Sequence, residues 1–272
     1  DPPLSGDAVN FTPPGGDVWW PLAAFAGAFG LLLGSFLNVC ITRWPAELSV
    51  VAPRSRCPRC GYQITWYDNI PILSWLMLGA KCRQCALPIP IMYPLVELAT
   101  GMIWGLAVAW YGFEVEAALA ATFGTLLLGI AMTDAREYII PDEFSIGGTV
   151  IGLGFAFLGG ALGWQPALLG AVVGYGLLWL IAVVGQKAFG EEAMGGGDVK
   201  MMAMIGAFLG WQGVLLTLFL GALIGTLIFL PMRLMGKEKL VPFGIFLAIG
   251  GAAYWVVGDA MVTWYRVSVL GL

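Results

Sequence analysis

Long apolar runs separated by short polar stretches dominate the chain. Hydrocarbon about 30 Å thick needs roughly 20 apolar residues per helix, and runs near residues 18–41, 91–111, 117–133, 144–163, 166–189, 199–210, 212–234 and 242–265 approach or meet that length. The sixth is too short to cross alone. Residues 199–234 form either one long kinked helix or two helices joined at Gly210-Trp211-Gln212-Gly213, and the resemblance of that stretch to an interfacial turn favours two. The pattern predicts an all-α polytopic membrane bundle of about eight transmembrane helices. One segment, residues 43–90, reads as soluble. The expected organisation is an extracytoplasmic tail (1–17), a first transmembrane helix (18–42), a small cytoplasmic domain (43–90) and a membrane core (91–272).

Within the apolar runs, small residues recur four apart as Gly148/Gly152, Gly170/Gly174, Gly206/Gly210 and Gly221/Gly225. That spacing lets helices approach closely in lipid and is an architectural signal only. No internal repeat is expected beyond this richness in Gly and Leu.

Composition agrees with the pattern. The chain is 59% hydrophobic and 11% charged, with a mean hydropathy of +0.85, so the bilayer is its main solvent. Its formal charge is −4 and its cations are scattered, which leaves no basic face to track a phosphate backbone and argues against nucleic acid as a partner. Histidine is absent. That excludes Ser-His-Asp and Cys-His hydrolases, histidine-ligated metals and HExxH zincins. Proton transfer must fall to carboxylates, Lys, Tyr or Cys. No cleavable signal peptide is recognised before the first apolar run, which is expected to stay as an anchor.

With eight spans, Arg43, Arg54, Arg56, Arg59, Lys81, Arg83, Arg136, Lys187, Lys200, Arg233, Lys237 and Lys239 fall on one side, with Arg266, Asp7, Asp17, Glu114 and Glu116 opposite. Excess Lys and Arg mark the cytoplasmic face, so both termini are expected outside.

The soluble segment carries Cys57-Pro58-Arg59-Cys60 and, after a gap of 21 residues, Cys82-Arg83-Gln84-Cys85. Two such knuckles can set four thiolates tetrahedrally around one Zn2+. Two disulfides are the alternative, which a reducing cytoplasm disfavours. Four protein ligands would close the coordination sphere, so the metal would staple a segment too small to bury a core and would not activate water. Cys40 lies outside this pattern and reads as a small buried apolar residue.

Acidic residues at the edges of spans are costly in hydrocarbon and are functional candidates. Asp134 closes the third span, in Met132-Thr133-Asp134-Ala135-Arg136-Glu137-Tyr138-Ile139-Ile140-Pro141-Asp142, and Asp198 follows Met194-Gly195-Gly196-Gly197 at the start of the sixth. Both fall at the cytoplasmic ends of their helices. Were those ends adjacent, the carboxylates could share one proton and hold one water, as in aspartic proteases. Helix polarity suggests that Asp198, near an amino end, is the more acidic of the two and Asp134, at a carboxyl end, the less. A helix cap is the plain alternative for Asp198. Asp142 and Glu143, directly after Pro141, read as capping residues. Lys200, two positions from Asp198, should point away from it and snorkel.

Together these residues resemble the type 4 prepilin peptidases, of the GxGD class of membrane aspartyl proteases. The resemblance spans nearly the whole chain: Gly34-Ser35-Phe36-Leu37-Asn38-Val39 with Arg43, the paired knuckles, Asp134 with Ile140-Pro141-Asp142, Glu192-Ala193-Met194-Gly195-Gly196-Gly197-Asp198-Val199-Lys200, and Pro242-Phe243-Gly244. It implies that Asp134 and Asp198 are the catalytic pair. It also implies an inner-membrane enzyme with its active site at the cytoplasmic face. That enzyme would cut the short basic leader from type IV prepilins or type II secretion pseudopilins after glycine, then N-methylate the new amino terminus with S-adenosylmethionine. No Rossmann-like pattern with a glycine fingerprint marks a site for that donor, so its residues are unassigned, Gly34 to Arg43 and the zinc segment being candidates by position. The oligomeric state is not legible. Two other classes stand beside this reading. An ion-coupled transporter would hold its carboxylates near mid-membrane, and a non-enzymatic zinc-bearing assembly factor would have dispensable aspartates.

Overall fold

The computed structural model describes residues 20–190, 194–235, 242–268 and 271. The expected tail 1–17, Glu192, Lys237 and Lys239 lie outside the described residues. Among the described residues, eight α-helices follow in order: α1 (Trp20–Arg43), α2 (Leu73–Met77), α3 (Met92–Tyr111), α4 (Val115–Glu137), α5 (Asp142–Phe157), α6 (Trp164–Phe189), α7 (Gly196–Leu234) and α8 (Phe243–Ser268). Among the described residues, β structure is confined to two isolated bridges. The chain is the all-α polytopic bundle its apolar runs predict. By length and apolarity, α1, α3, α4, α6 and α7 can each cross a membrane, and α8, bent by 68° near Gly258, adds a sixth if its two parts count as one span. Helix α5 is shorter than its apolar run, 16 residues, because the chain turns after Phe157 through Gly159 and Gly163, both at positive φ.

Helix α7 breaks at Gly210, where φ is 71° and ψ is −179°. That conformation is open to glycine at little cost and places the interruption where the sequence suggests a turn. The break is a reversal. A Cβ built on Gly174 of α6 would lie 2.2 Å from the Met202 carbonyl oxygen and 3.2 Å from Val214 Cγ2, whereas positions 202 and 214 of a continuous helix sit about 18 Å apart along the axis. The chain therefore doubles back, making an inner arm before Gly210 and an outer arm after it. Between residues 201 and 210 only Ala203 escapes full burial.

This inner arm is the core of the molecule. Phe208 stacks on Phe123 of α4 with ring centroids 4.8 Å apart. Met204 and Phe208 fill the space above Gly148 and Gly152 of α5, and Gly206 meets Gly170 of α6 so closely that a Cβ on Gly206 would lie 2.0 Å from the Gly170 carbonyl oxygen. Gly221 and Gly225 on the outer arm lie against Phe246 and Leu247 of α8. All four small-residue pairs thus sit at helix contacts. The outer surface is apolar, with Phe25, Val150 and Leu227 each about two-thirds exposed or more, as lipid contact requires.

Helix α1 pairs with α3 and touches α4 through Leu37 against Gly129. Residues 44–91 leave from the end of α1 and return to the start of α3. The Arg43 guanidinium ties this segment down by donating to the carbonyls of Ser49 (2.8 Å) and Pro53 (2.7 Å). Within it lies a repeat of period 25 that sequence inspection misses. The Cys57 N–H donates to the Tyr62 carbonyl and the Gly61 N–H to that of Cys57; the Cys82 N–H donates to the Leu87 carbonyl and the Ala86 N–H to that of Cys82. Bridges Arg56–Gln63 and Lys81–Pro88 close the two halves in the same way. Only the cysteines, Ile64/Ile89 and backbone conformation survive between the halves, which is why composition hides them.

Candidate active site

Helix α4 ends at Tyr138, whose left-handed conformation (φ 56°) returns its N–H to the Asp134 carbonyl at 3.0 Å. The extended Ile139-Ile140-Pro141 then leads into α5. Asp134 is 5% exposed, so its carboxylate needs a partner. It finds one 111 residues away, where the Ile245 backbone N–H in the first turn of α8 donates to Oδ2 at 3.1 Å. Gly244 makes this possible, since a Cβ there would sit 2.9 Å from the same oxygen.

Asp198 lies in the first turn of α7, its N–H donating to the Gly195 carbonyl at 3.2 Å. Ile140 joins the two neighbourhoods. A Cβ on Gly197 would be 2.9 Å from Ile140 Cβ, and one on Gly244 would be 2.8 Å from Ile140 Cδ1. The carboxylates of Asp134 and Asp198 lie close enough to act on one another electrostatically. Two acids 64 positions apart in sequence thus share one end of the bundle. Helix polarity no longer ranks the pair, because Asp134, at the carboxyl end of α4, also faces the amino end of α8, and both aspartates therefore sit at a positive helix terminus.

Two neighbouring expectations change. Asp142 does not cap α5: the cap position is Pro141, with no side-chain capping bond. Asp142 instead pairs with Lys200, whose Nζ lies 2.7 Å and 2.9 Å from its oxygens. Lys200, expected to snorkel to the interface, thus has Asp142 as its partner. Cys40 is buried, as expected.

The four knuckle cysteines are free thiols whose sulfurs all lie within 4.8 Å of one another. Cys57 to Cys85 is 3.7 Å and Cys60 to Cys82 is 3.9 Å. Tetrahedral sulfurs about 2.3 Å from Zn2+ would stand about 3.8 Å apart, close to these two separations, so the cluster could hold zinc, and the separations are far beyond the roughly 2 Å of a disulfide. Backbone N–H groups of Cys60 and Arg59 aim at Cys57 and lower its thiol, while burial and the neighbouring sulfurs raise that of Cys60, so the thiols act on one another as a cluster. Beside the cluster, Arg83 Nε donates to both oxygens of Asp68 at 3.0 Å and 2.9 Å. That guanidinium keeps the Asp68 carboxyl below the usual carboxylate range.

Sequence reading passed over Glu97. It sits inside α3, is 8% exposed, and its Oε2 accepts the Ile72 N–H at 2.8 Å, tying the soluble segment to the membrane helices. The rule that flagged Asp134 and Asp198, an acid inside an apolar run, would have found it.

Two family models match the chain: the bacterial peptidase A24 N-terminal domain over residues 28–111 and the type IV leader peptidase family over residues 119–230. Among curated proteins it is similar to the prepilin leader peptidase/N-methyltransferase of Aeromonas hydrophila, 35% identical across 92% of this chain and 96% of that one. The protein of the same description from Pseudomonas aeruginosa strain PAO1 is 38% identical across 87% and 90%. The one from Myxococcus xanthus is 42% identical across 78% of this chain but only 63% of its own length. No solved structure matches significantly. Matched by the family models along most of its length and by relatives over nearly all of theirs, this chain belongs to the type IV leader peptidase family, a family of membrane proteases whose curated members are also described as N-methyltransferases.

Proposed function

We propose that this protein cleaves the leader of type IV prepilins or type II secretion pseudopilins and methylates the amino terminus it exposes, working at the cytoplasmic face of an inner membrane crossed about eight times. Asp134 and Asp198 act as a pair on one water: its oxygen adds to the scissile carbonyl carbon, the amide C–N bond breaks, and the departing nitrogen receives a proton. Neither carboxylate forms a covalent bond to substrate. The convergence of the two acids around Ile140, with Asp134 anchored by the Ile245 N–H, carries this reading. A leader on the cytoplasmic side of a substrate helix would meet them at the bilayer edge.

Residues 43–90 would then form a zinc-stapled cytoplasmic unit and residues 91–272 the peptidase core. Cys57, Cys60, Cys82 and Cys85 would hold Zn2+, which supplies cross-linking and no bound water. S-adenosylmethionine supplies an electrophilic methyl group to the new amine.

The test is purified full-length protein incubated with a prepilin peptide and S-adenosylmethionine, with products read by mass spectrometry. Loss of the leader plus one methyl mass is expected. Asp134→Asn and Asp198→Asn should each lower cleavage by about 10³-fold or more, as members of a unit do. Asp142→Asn, which removes an exposed ion pair, should be mild. Substantial cleavage by either of the first two variants would remove the pair from the mechanism.

A further inference from the structure

A cavity of about 500 Å³ opens between α1, α3 and the soluble segment, lined among others by Asn38, Arg43, Tyr62, Trp75, Leu78 and Glu97. Its size lies in the range of sites that enclose a nucleoside-sized ligand. Its charges set it apart. Glu97 is 8% exposed and, among the described residues, lies in neither of the two ion pairs. Its oxygens have the Ile72 N–H at 2.8 Å and the Ser35 hydroxyl nearby, both neutral. A carboxylate so placed lacks the cation that its burial calls for. Arg43 is on the same wall and, among the described residues, donates to the neutral carbonyls of Ser49 and Pro53 and lies in neither ion pair. Asp68 and Arg83, also on the wall, satisfy each other. The cavity therefore offers one buried acid, Glu97, two arginines, Arg43 and Arg56, that lie in neither of the ion pairs found among the described residues, and the rings of Tyr62 and Trp75.

We infer that this cavity is the binding site for S-adenosylmethionine, with Glu97 facing the positive charge of its methionine half and Arg43 its carboxylate. The inference rests on the reading of this chain as a methyltransferase and gives that activity a place. The ligand carries positive groups and a carboxylate, and the cavity presents both kinds of partner, Glu97 for a positive group and Arg43 for the carboxylate, while its purine matches an aromatic wall. The cavity lies at the end of the bundle that carries the aspartates: Trp44, just after α1, packs edge-on against Phe144 in the first turns of α5, with centroids 4.5 Å apart. In the transfer, the methyl carbon leaves the sulfonium sulfur as its bond to the amine nitrogen forms. The nitrogen sheds a proton, and S-adenosylhomocysteine departs neutral at sulfur.

The experiment is equilibrium binding of radiolabelled S-adenosylmethionine to purified full-length protein in lipid nanodiscs, with zinc content and unfolding temperature as controls of folding. Glu97→Gln keeps an oxygen for the Ile72 N–H and removes only the charge; it should weaken binding tenfold or more. Leu78→Trp, which fills the cavity without touching a charge, should do the same. Two folded variants that bind like wild type would overturn the cavity assignment while leaving methyl transfer standing. Wild-type protein that cleaves a prepilin peptide yet binds no S-adenosylmethionine would overturn both.

Discussion

Gly244→Ala is the most discriminating substitution in the molecule. Its new methyl would lie 2.9 Å from Asp134 Oδ2, 3.2 Å from Asp134 Cγ and 2.8 Å from Ile140 Cδ1. Ordinary contact begins near 3.4 Å, so the carboxylate must retreat by about 0.5 Å. That retreat pulls against the 3.1 Å bond from the Ile245 N–H. Displacing a reacting group by 1 Å can cost about 10²-fold in rate, and half that displacement plus a weakened hydrogen bond should cost between about tenfold and hundredfold in kcat/KM. Overpacking against Ile140 adds about 1–3 kcal/mol of destabilisation. The two effects separate in a double variant: Ile140→Val removes Cδ1 and should restore stability to Gly244→Ala without restoring cleavage. Gly147→Ala, whose methyl would meet nothing within 4 Å, serves as control. The assay is the rate of leader release from a prepilin peptide, beside thermal unfolding in detergent. Cleavage within twofold of wild type in a folded Gly244→Ala protein would refute a role for the Asp134 position in the chemistry.

Other outcomes follow from the same contacts. Ala86 holds a left-handed conformation (φ 55°) where the other half of the repeat has Gly61 (φ 72°); Ala86→Gly should therefore stabilise the soluble segment by about 1 kcal/mol, read as slower thiol exposure under chelator. Stripping zinc with a strong chelator should release one metal per chain by atomic emission and open residues 44–91 to protease while α3 to α8 stay protected, since four thiols at these spacings otherwise crowd without a cation. Gly206→Ala drives a methyl into the Gly170 backbone and should cost about 3 kcal/mol or abolish accumulation in membranes. The Asp68–Arg83 pair lowers the native carboxyl below its unfolded value. Its stabilisation should be fully present above about pH 4 and drain away as pH falls through the lower native value. Thermal unfolding followed against pH should reveal that slope, and Arg83→Leu should erase it.

Much of the fold is written locally, because in lipid an apolar run of sufficient length has few alternatives to a helix. The helices, the break at Gly210 and the four small-residue pairs could be found that way, and so could the sulfur cluster, whose members lie in two short motifs. Long-range partnership is what local rules missed. Nothing near Asp134 announces that its carboxylate is held by the backbone of Ile245, and the i, i+2 geometry around Lys200 is silent about Asp142, 58 positions earlier. The ranking of the two aspartates by helix polarity failed for the same reason, since a third helix points at one of them. Glu97 was legible by contrast, since the eleven positions to either side carry no charge; only its partner, the Ile72 N–H 25 positions earlier, was beyond local rules.

Asp198 stands at the tip of a helix walled in by α4, α5, α6 and α8, and such a segment exchanges its amide hydrogens only when the whole bundle comes apart. The end of the molecule that carries Asp198 is thus built like an anvil, on a fixed core. If a substrate helix enters from the side, as the proposed function implies, the opening falls to the peripheral walls, and slow exchange at Met201–Leu209 should persist even while turnover proceeds.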